Sequence, residues 1–131
     1  MRLSEIADPV YSGLISGINY INSRFLKPRE AGFHDQWKSV KWWLKNHPGK
    51  TKEDWATWWL SVNQAPIPVD WAAYDGWNMQ VIDGHHRLLA YMILGLMPRV
   101  KIISDQIPVK HITTLKKEGG LSLRKGGPDL F

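Results

Sequence analysis

The chain has 131 residues, of which 44% are hydrophobic and 22% charged, and its formal net charge is +5. This length suits one domain with a single core, and the composition excludes a disordered or fibrous protein for most of the chain. There is no cysteine, which excludes disulfides, thiolate metal sites and cysteine nucleophiles and favours a reducing compartment. The N-terminus lacks the basic start of a signal peptide, and no apolar stretch reaches the ~20 residues that span a membrane. We therefore expect a cytoplasmic protein with no membrane partner.

The positive charge lies at the two ends of the chain. Residues 1–60 carry nine Lys and Arg against six Asp and Glu, residues 61–100 two against three, and residues 101–131 six against three, which gives +3, −1 and +3. This distribution suits a polyanionic partner held at the flanks, although a modest positive charge also serves solubility.

The first half of the chain predicts a short strand followed by helices. Residues 1–6 are compatible with a strand, and apolar residues at helical spacing predict an amphipathic helix from about Pro9 to Phe25. A second helix is expected from Asp35 to Lys45. Thr51 followed by Asp54 is typical of a capped helix start, so we expect a third helix there.

The second half of the chain changes to a strand pattern interrupted by one helix. Strands are expected at Pro66 to Val69, Met79 to Ile82, Arg99 to Ile103 and residues 107–115. A turn signal at Asp75-Gly76 makes the first two of these a predicted hairpin. The nearly continuous apolar run from Arg87 to Leu94 predicts a buried helix that ends at Gly95. The fold class is thus α/β with a small mixed sheet over residues 1–115, followed by a basic, flexible tail over residues 116–131.

The segment from Val81 to Ala90, VIDGHHRLLA, is the most informative part of the chain. A strand turns there through a glycine directly into a helix, which aims backbone N–H groups and the positive end of the helix dipole at one point. Gly84 allows close approach of a ligand, and Arg87 adds charge-assisted donors. Asp83 could hold a metal ion, accept a proton or cap the helix. The pattern therefore indicates a phosphate site, with a capped turn bearing solvated histidines as the structural alternative.

The two adjacent histidines, His85 and His86, diverge in a tight turn, which disfavours a shared metal site. Hydrogen bonding to a phosphate, or proton transfer, is the better functional interpretation, because an unperturbed imidazole titrates near neutral pH. The remaining three histidines have no partner visible in the sequence and are interpreted as surface or core residues.

This segment resembles the ParB/sulfiredoxin superfamily, in which a strand, a motif of the G-x-H-R-x-x-A or G-E-R-R-x-x-A type and a helix form a pocket for nucleotide phosphates. The resemblance is carried by Asp83-Gly84-His85-His86-Arg87 and Ala90, within a core unit from Ala65 to Ile103. It implies a ParB/sulfiredoxin-like fold for residues 1–115. It also implies phosphate or nucleotide binding by Gly84, His85, His86 and Arg87.

Departures from the family pattern separate its branches. A sulfiredoxin has its catalytic cysteine just before the His-Arg pair, where this chain has His85, so sulfinic-acid reduction is excluded. Only 28 residues follow Ile103, so we do not expect the DNA reader and dimerisation domain of partitioning proteins. The remaining branches are small ParB-like proteins of phages and plasmids, often labelled nucleases, and free-serine kinases that share the D-G-H-H-R motif.

If the chain is an enzyme, the resemblance implies phosphoryl transfer by a metal-dependent nuclease or nucleotide hydrolase acting on DNA or a nucleoside triphosphate, or by a serine kinase-like phosphotransferase. Asp83 would bind Mg²⁺ or Mn²⁺ or act as base, His86 would assist proton transfer, and Arg87 would stabilise developing charge. The expected nucleotides are ATP, ADP or CTP. The alternative is a non-catalytic module that uses the same fold to bind nucleic acid or protein.

Eight tryptophans are many for this length, and six of them lie within residues 37–59. Trp55, Trp58 and Trp59 share one helical stripe, for which packing of the core or the pocket wall is favoured over base stacking. The preceding predicted helix carries Trp42 and Trp43 among several lysines. This combination of aromatic and basic side chains suits binding of single-stranded nucleic acid or of a protein partner. The candidate contact residues are Lys38, Lys41, Trp42, Trp43 and Lys45.

Overall fold

The computed structural model describes residues 10–11, 18–71, 79–103, 107–108 and 121–122. Within these residues the chain forms a mixed α/β fold, as the sequence predicts. The helices are α1 (His34–Asn46), α2 (Lys52–Val62) and α3 (His85–Leu94). The strands are β1 (Val10–Tyr11), β2 (Ile18–Ile21), β3 (Leu26–Lys27), β4 (Ile67–Trp71), β5 (Met79–Val81), β6 (Arg99–Ile102), β7 (Ile107–Pro108) and β8 (Leu121–Ser122).

Six of these strands form one mixed sheet in the order β3-β5-β4-β6-β2-β8. β4 lies inside the sheet, antiparallel to β5 and parallel to β6, which confirms the predicted hairpin between β4 and β5. β2 is antiparallel to both β6 and β8, and β3 is parallel to β5. β1 and β7 pair separately as an antiparallel two-stranded sheet.

The helices begin and end at local signals in the sequence. α2 starts with a capping box, in which the Thr51 hydroxyl accepts from the backbone N–H of Asp54 (3.2 Å) and the Asp54 carboxylate accepts from the backbone N–H of Thr51 (2.8 Å). α3 ends at Gly95, which adopts the left-handed conformation (φ +67°) that favours glycine after a helix. The helices predicted between residues 35 and 94 are therefore confirmed.

One buried cluster joins the sheet to all three helices. Its largest fully buried side chains are Trp55, Phe25, Ile21, Ile67, Met79, Leu88, Ile102, Val40 and Val69. α2 packs mainly against α3, and α1 packs against α2. Trp55 is 1% exposed, so the prediction that this tryptophan packs in the core is confirmed. The burial of such a large aromatic surface stabilises the packing of α2 against the rest of the domain.

The helix predicted from Pro9 to Phe25 is wrong. Its described part contains β1, β2 and a 3-10 turn over Ser23–Phe25. Burial alternates in β2, where Asn19 and Ile21 are buried and Tyr20 is less so, and this period of two belongs to a strand rather than a helix. Isoleucine and tyrosine also favour strands, and pairing with β6 and β8 outweighs the weak helical spacing.

Several other predictions fall on parts of the chain outside the described residues. These are the strand over residues 1–6, the turn at Asp75-Gly76, and most of residues 107–115. Two residues of the expected tail, Leu121 and Ser122, form β8 and pair with Ile21 and Tyr20. The rest of residues 116–131 lies outside the described part, so the domain boundary at residue 115 stays a prediction.

Candidate functional site

The turn between β5 and α3 has the geometry that the sequence predicts, because the strand ends at Val81 and the helix begins at His85. Gly84 is the residue just before the helix and has a left-handed backbone (φ +83°). Among the described residues no side chain caps this helix, so the N–H groups of its first turn lack a side-chain acceptor of the kind that Thr51 supplies to α2. The start of α3 therefore combines unpaired donors with the positive end of the helix dipole.

The Arg87 guanidinium folds back over Gly84. Its Nη1 donates to the carbonyl oxygens of Ala65 (2.5 Å) and Pro66 (3.1 Å), which precede β4. A Cβ on Gly84 would lie 2.6 to 2.9 Å from three guanidinium atoms. Arg87 thus has a structural bond to the main chain that the sequence does not reveal, and its remaining donors stay close to the turn.

His85 connects the motif to the loop before α1. Its Nε2 accepts a hydrogen bond from the backbone N–H of Arg29 (2.9 Å), and the Arg29 guanidinium donates to the Ile82 carbonyl (2.8 Å). Burial lowers the pKa of His85, and the positive charge of Arg29 lowers it further. The Asp83 carboxylate partly opposes this shift. His85 is therefore neutral at pH 7, with its proton on Nδ1.

His86 lies between α1 and α2. Its Nε2 is 3.1 Å from the Ser39 hydroxyl, and its ring centroid is 5.0 Å from that of Trp59. Burial lowers the pKa of His86, and the Asp35 carboxylate partly opposes this shift. A neutral imidazole at pH 7 can accept a proton or donate one hydrogen bond, but it adds no positive charge to the site.

A polar cavity of about 400 Å³ brings these groups together. This motif cleft is lined by residues 83–87, by Gln36 of α1, and by Trp59 and Asn63 at the end of α2. The structure therefore brings together all five residues that the sequence assigns to catalysis or phosphate binding. Among the described lining residues, Arg87 is the one permanent cation and Asp83 the one carboxylate.

Asp83 is exposed at the cleft, and the described residues contain no cluster of three or more His, Asp and Glu side chains that could hold a metal ion. A single carboxylate does not make a resident metal site. It does fit Mg²⁺ or Mn²⁺ that arrives with a nucleotide, because Mg²⁺ is usually held by one or two carboxylates together with substrate phosphates and water.

A second cavity, of about 520 Å³, lies between α1 and α2. This aromatic groove is lined by Lys38, Ser39, Trp42, Trp43, Trp55, Trp58 and Trp59. Of the two tryptophans expected to contact a partner, Trp42 is 66% exposed and Trp43 only 7%. Trp43 stacks between His47 and Trp58, with centroid distances of 4.2 and 5.6 Å.

The three candidate lysines, Lys38, Lys41 and Lys45, are all exposed on α1. Lys38 lines the aromatic groove and lies 3.9 Å from the Asp35 carboxylate. Such an exposed pair contributes little stability, so the lysine remains available to a ligand.

Sequence reasoning missed four polar residues of the site. Arg29 and Ser39 contact the histidines, and Gln36 and Asn63 line the motif cleft. Asn63 follows the last turn of α2, and its side chain donates to the Trp59 carbonyl (3.1 Å). The predicted end of this helix is the one sequence signal that could have identified Asn63. Arg29 carries no such signal, because its partner His85 is 56 residues away.

Comparison of the chain with protein-family models, with curated proteins and with solved structures found no match. In the part of the chain that the structure describes, none of the helices has the length and apolar character needed to cross a membrane.

Proposed function

We propose that the motif cleft binds the phosphate group of a nucleotide. The observation that carries this proposal is the uncapped start of α3, which lies at a polar cleft beside the Arg87 guanidinium. Helix starts of this kind favour anions, because both the free N–H groups and the helix dipole attract negative charge. The resemblance of D-G-H-H-R to the phosphate motif of the ParB/sulfiredoxin superfamily supports the same class of ligand.

We further propose that the reaction at this cleft is phosphoryl transfer, either hydrolysis of a nucleotide or cleavage of a nucleic acid. Arg87 and the first-turn amides of α3 would stabilise charge that develops on the phosphate. His86, neutral because burial lowers its pKa, would accept a proton. Asp83 would hold Mg²⁺ or Mn²⁺, which when bound would neutralise phosphate charge.

Titration calorimetry with ATP, ADP and CTP tests the binding step. Arg87→Gln should weaken binding by about 10- to 150-fold, which corresponds to the loss of one charge-assisted hydrogen bond. Arg99→Gln is the matched control. Arg99 also donates to a main-chain carbonyl, that of Gln64 (2.6 Å), but it does not line the motif cleft. Unchanged affinity in Arg87→Gln, or equal losses in both variants, would overturn the proposal.

The reaction is tested separately, with and without Mg²⁺ or Mn²⁺. Release of phosphate from nucleotides, nicking of plasmid DNA and phosphorylation of free serine distinguish the three possible reactions, of which the first two transfer the phosphoryl group to water and the third transfers it to serine. Asp83→Asn should abolish turnover while nucleotide affinity without metal stays close to that of the wild type, because asparagine keeps the size of the side chain and removes its charge. Nucleotide binding without turnover in any assay would identify a non-catalytic binding module.

A further inference from the structure

The aromatic groove and the motif cleft adjoin. Trp59 lines both cavities, and its ring lies 5.0 Å from the ring of His86 in the cleft. Ser39, which lines the groove, is hydrogen-bonded to the same histidine (3.1 Å). The two cavities therefore share Trp59 in their walls, and the contact between Ser39 and His86 links them.

The two cavities differ sharply in chemistry. The motif cleft offers helix-start amides, Arg87 and the polar side chains around it, whereas the aromatic groove is walled by indole rings. A ligand that satisfies both must carry an anion next to a flat, apolar ring system. A nucleic-acid unit has this character, since its phosphate is joined through a sugar to an aromatic base.

We propose that the aromatic groove stacks a base of single-stranded nucleic acid whose adjacent phosphate occupies the motif cleft. This inference rests on the proposed function, because the proposed function assigns the phosphate to the motif cleft. Trp42 and Trp58, with exposures of 66% and 41%, supply accessible indole surface in the groove. Base stacking on aromatic side chains is tolerant of sequence because every base has a π-face.

The lysines of α1 favour a strand over a free nucleotide. Lys38 lines the aromatic groove, but Lys41 and Lys45 line neither cavity and continue along the same helix. From Lys38 to Lys45 the helix rises about 10 Å, which is the axial length of roughly three nucleotides of a DNA strand. A mononucleotide would leave the last two of these cations unused, whereas a strand would pair them with further phosphates.

Fluorescence anisotropy with a labelled thymidine hexamer, and with a hexamer of the same sugar-phosphate backbone lacking bases, tests the inference. Wild type should bind the thymidine oligomer about 5- to 150-fold more tightly, which is the range expected for stacking one base. Trp42→Ala and Trp58→Ala should reduce this preference and leave affinity for the abasic oligomer unchanged. Val62→Ala is the control, since Val62 is 59% exposed on α2 and lies outside the groove.

Equal affinity for the two oligomers, a preference that survives both tryptophan substitutions, or no binding of either oligomer at low salt would overturn the inference. Thymidine monophosphate that binds as tightly as the hexamer, with the same dependence on tryptophan, would assign the groove to a free nucleotide and also overturn it.

The outcomes separate this inference from the proposed function. If Arg87→Gln weakens nucleotide binding but bases add nothing, the phosphate site stands and the groove assignment fails. If bases add affinity through Trp42 and Trp58 but Arg87→Gln affects neither oligomer, the groove binds bases and the phosphate proposal fails.

Discussion

Replacing Gly84 by alanine should impose two separate costs on the turn that starts α3. The first is backbone strain, because Gly84 has φ +83° and alanine disfavours the left-handed region. The second is crowding, because the new Cβ would lie 2.6 Å from Arg87 Nη2 and 2.8 Å from its Nε. The guanidinium must then move away from Gly84, and its bonds to the Ala65 and Pro66 carbonyls are disturbed.

The size of each cost follows from general magnitudes. Left-handed strain costs about 1–2 kcal/mol. Loss of a hydrogen bond to a charged group adds about 1.5–3 kcal/mol. For a chain of this length, 1 kcal/mol changes Tm by roughly 4 °C. Strain alone should therefore lower Tm by roughly 4–8 °C, and both costs together by roughly 10–20 °C.

Gly49 offers a matched control in the same chain. It has nearly the same backbone angle (φ +85°), but a Cβ there would meet nothing within 4 Å. Gly49→Ala should therefore show only the strain cost. Calorimetric unfolding of both variants measures the difference, which isolates the contribution of Arg87.

A double-mutant cycle identifies the cause of that difference. In an Arg87→Ala background the guanidinium is absent, so Gly84→Ala should cost no more than Gly49→Ala does. If the single variants Gly84→Ala and Gly49→Ala have equal Tm values, or if the excess cost of Gly84→Ala persists without Arg87, the crowding argument is refuted.

Two further predictions concern residues outside that contact. His85→Gln should reduce the dependence of stability on pH between about pH 7.5 and pH 5. Burial and Arg29 lower the folded-state pKa of His85. The stability that neutral His85 contributes is therefore fully present above the unfolded-state pKa of about 6.5, and it is lost as pH falls through the folded-state pKa. Glutamine keeps an acceptor for the Arg29 N–H and does not titrate. Urea unfolding midpoints that change equally with pH in the wild type and in His85→Gln would contradict the prediction. Thr51→Ala should lower Tm by roughly 4 °C through loss of the helix cap, whereas Thr57→Ala, at an exposed position of the same helix, should leave Tm nearly unchanged; equal effects in a thermal melt would argue against the cap.

Local signals predict the part of the fold that local interactions determine. The capping box at Thr51, the tryptophan repeat of α2 and the glycine after α3 each act within a few residues, and the elements that they mark are confirmed. The β5–α3 turn belongs to the same class, since the glycine and the helix start are adjacent in sequence. For this reason the position of the motif residues in one cleft was predictable.

Long-range pairing accounts for what sequence reasoning missed. Ile18 and Ile21 have helical spacing, yet their strand is decided by β6 and β8, which come about 80 and 100 residues later in the chain. The bond from Arg29 to His85 spans 56 residues and the bonds from Arg87 to the start of β4 span 21 and 22. No local pattern in the sequence marks these bonds, so the expectation that Arg87 binds phosphate did not include its bonds to the main chain.

The main chain of the connection between α2 and β4 is tied to later parts of the fold by two arginines. Three consecutive carbonyl oxygens, of Gln64, Ala65 and Pro66, accept hydrogen bonds from Arg87 and Arg99. Every amino acid provides a carbonyl, so positions 64 and 65, both exposed, are free to vary in side chain without loss of these bonds. These bonds depend instead on the two arginines, because Nη1 of Arg87 donates to two neighbouring carbonyls and Nη1 of Arg99 donates to the third.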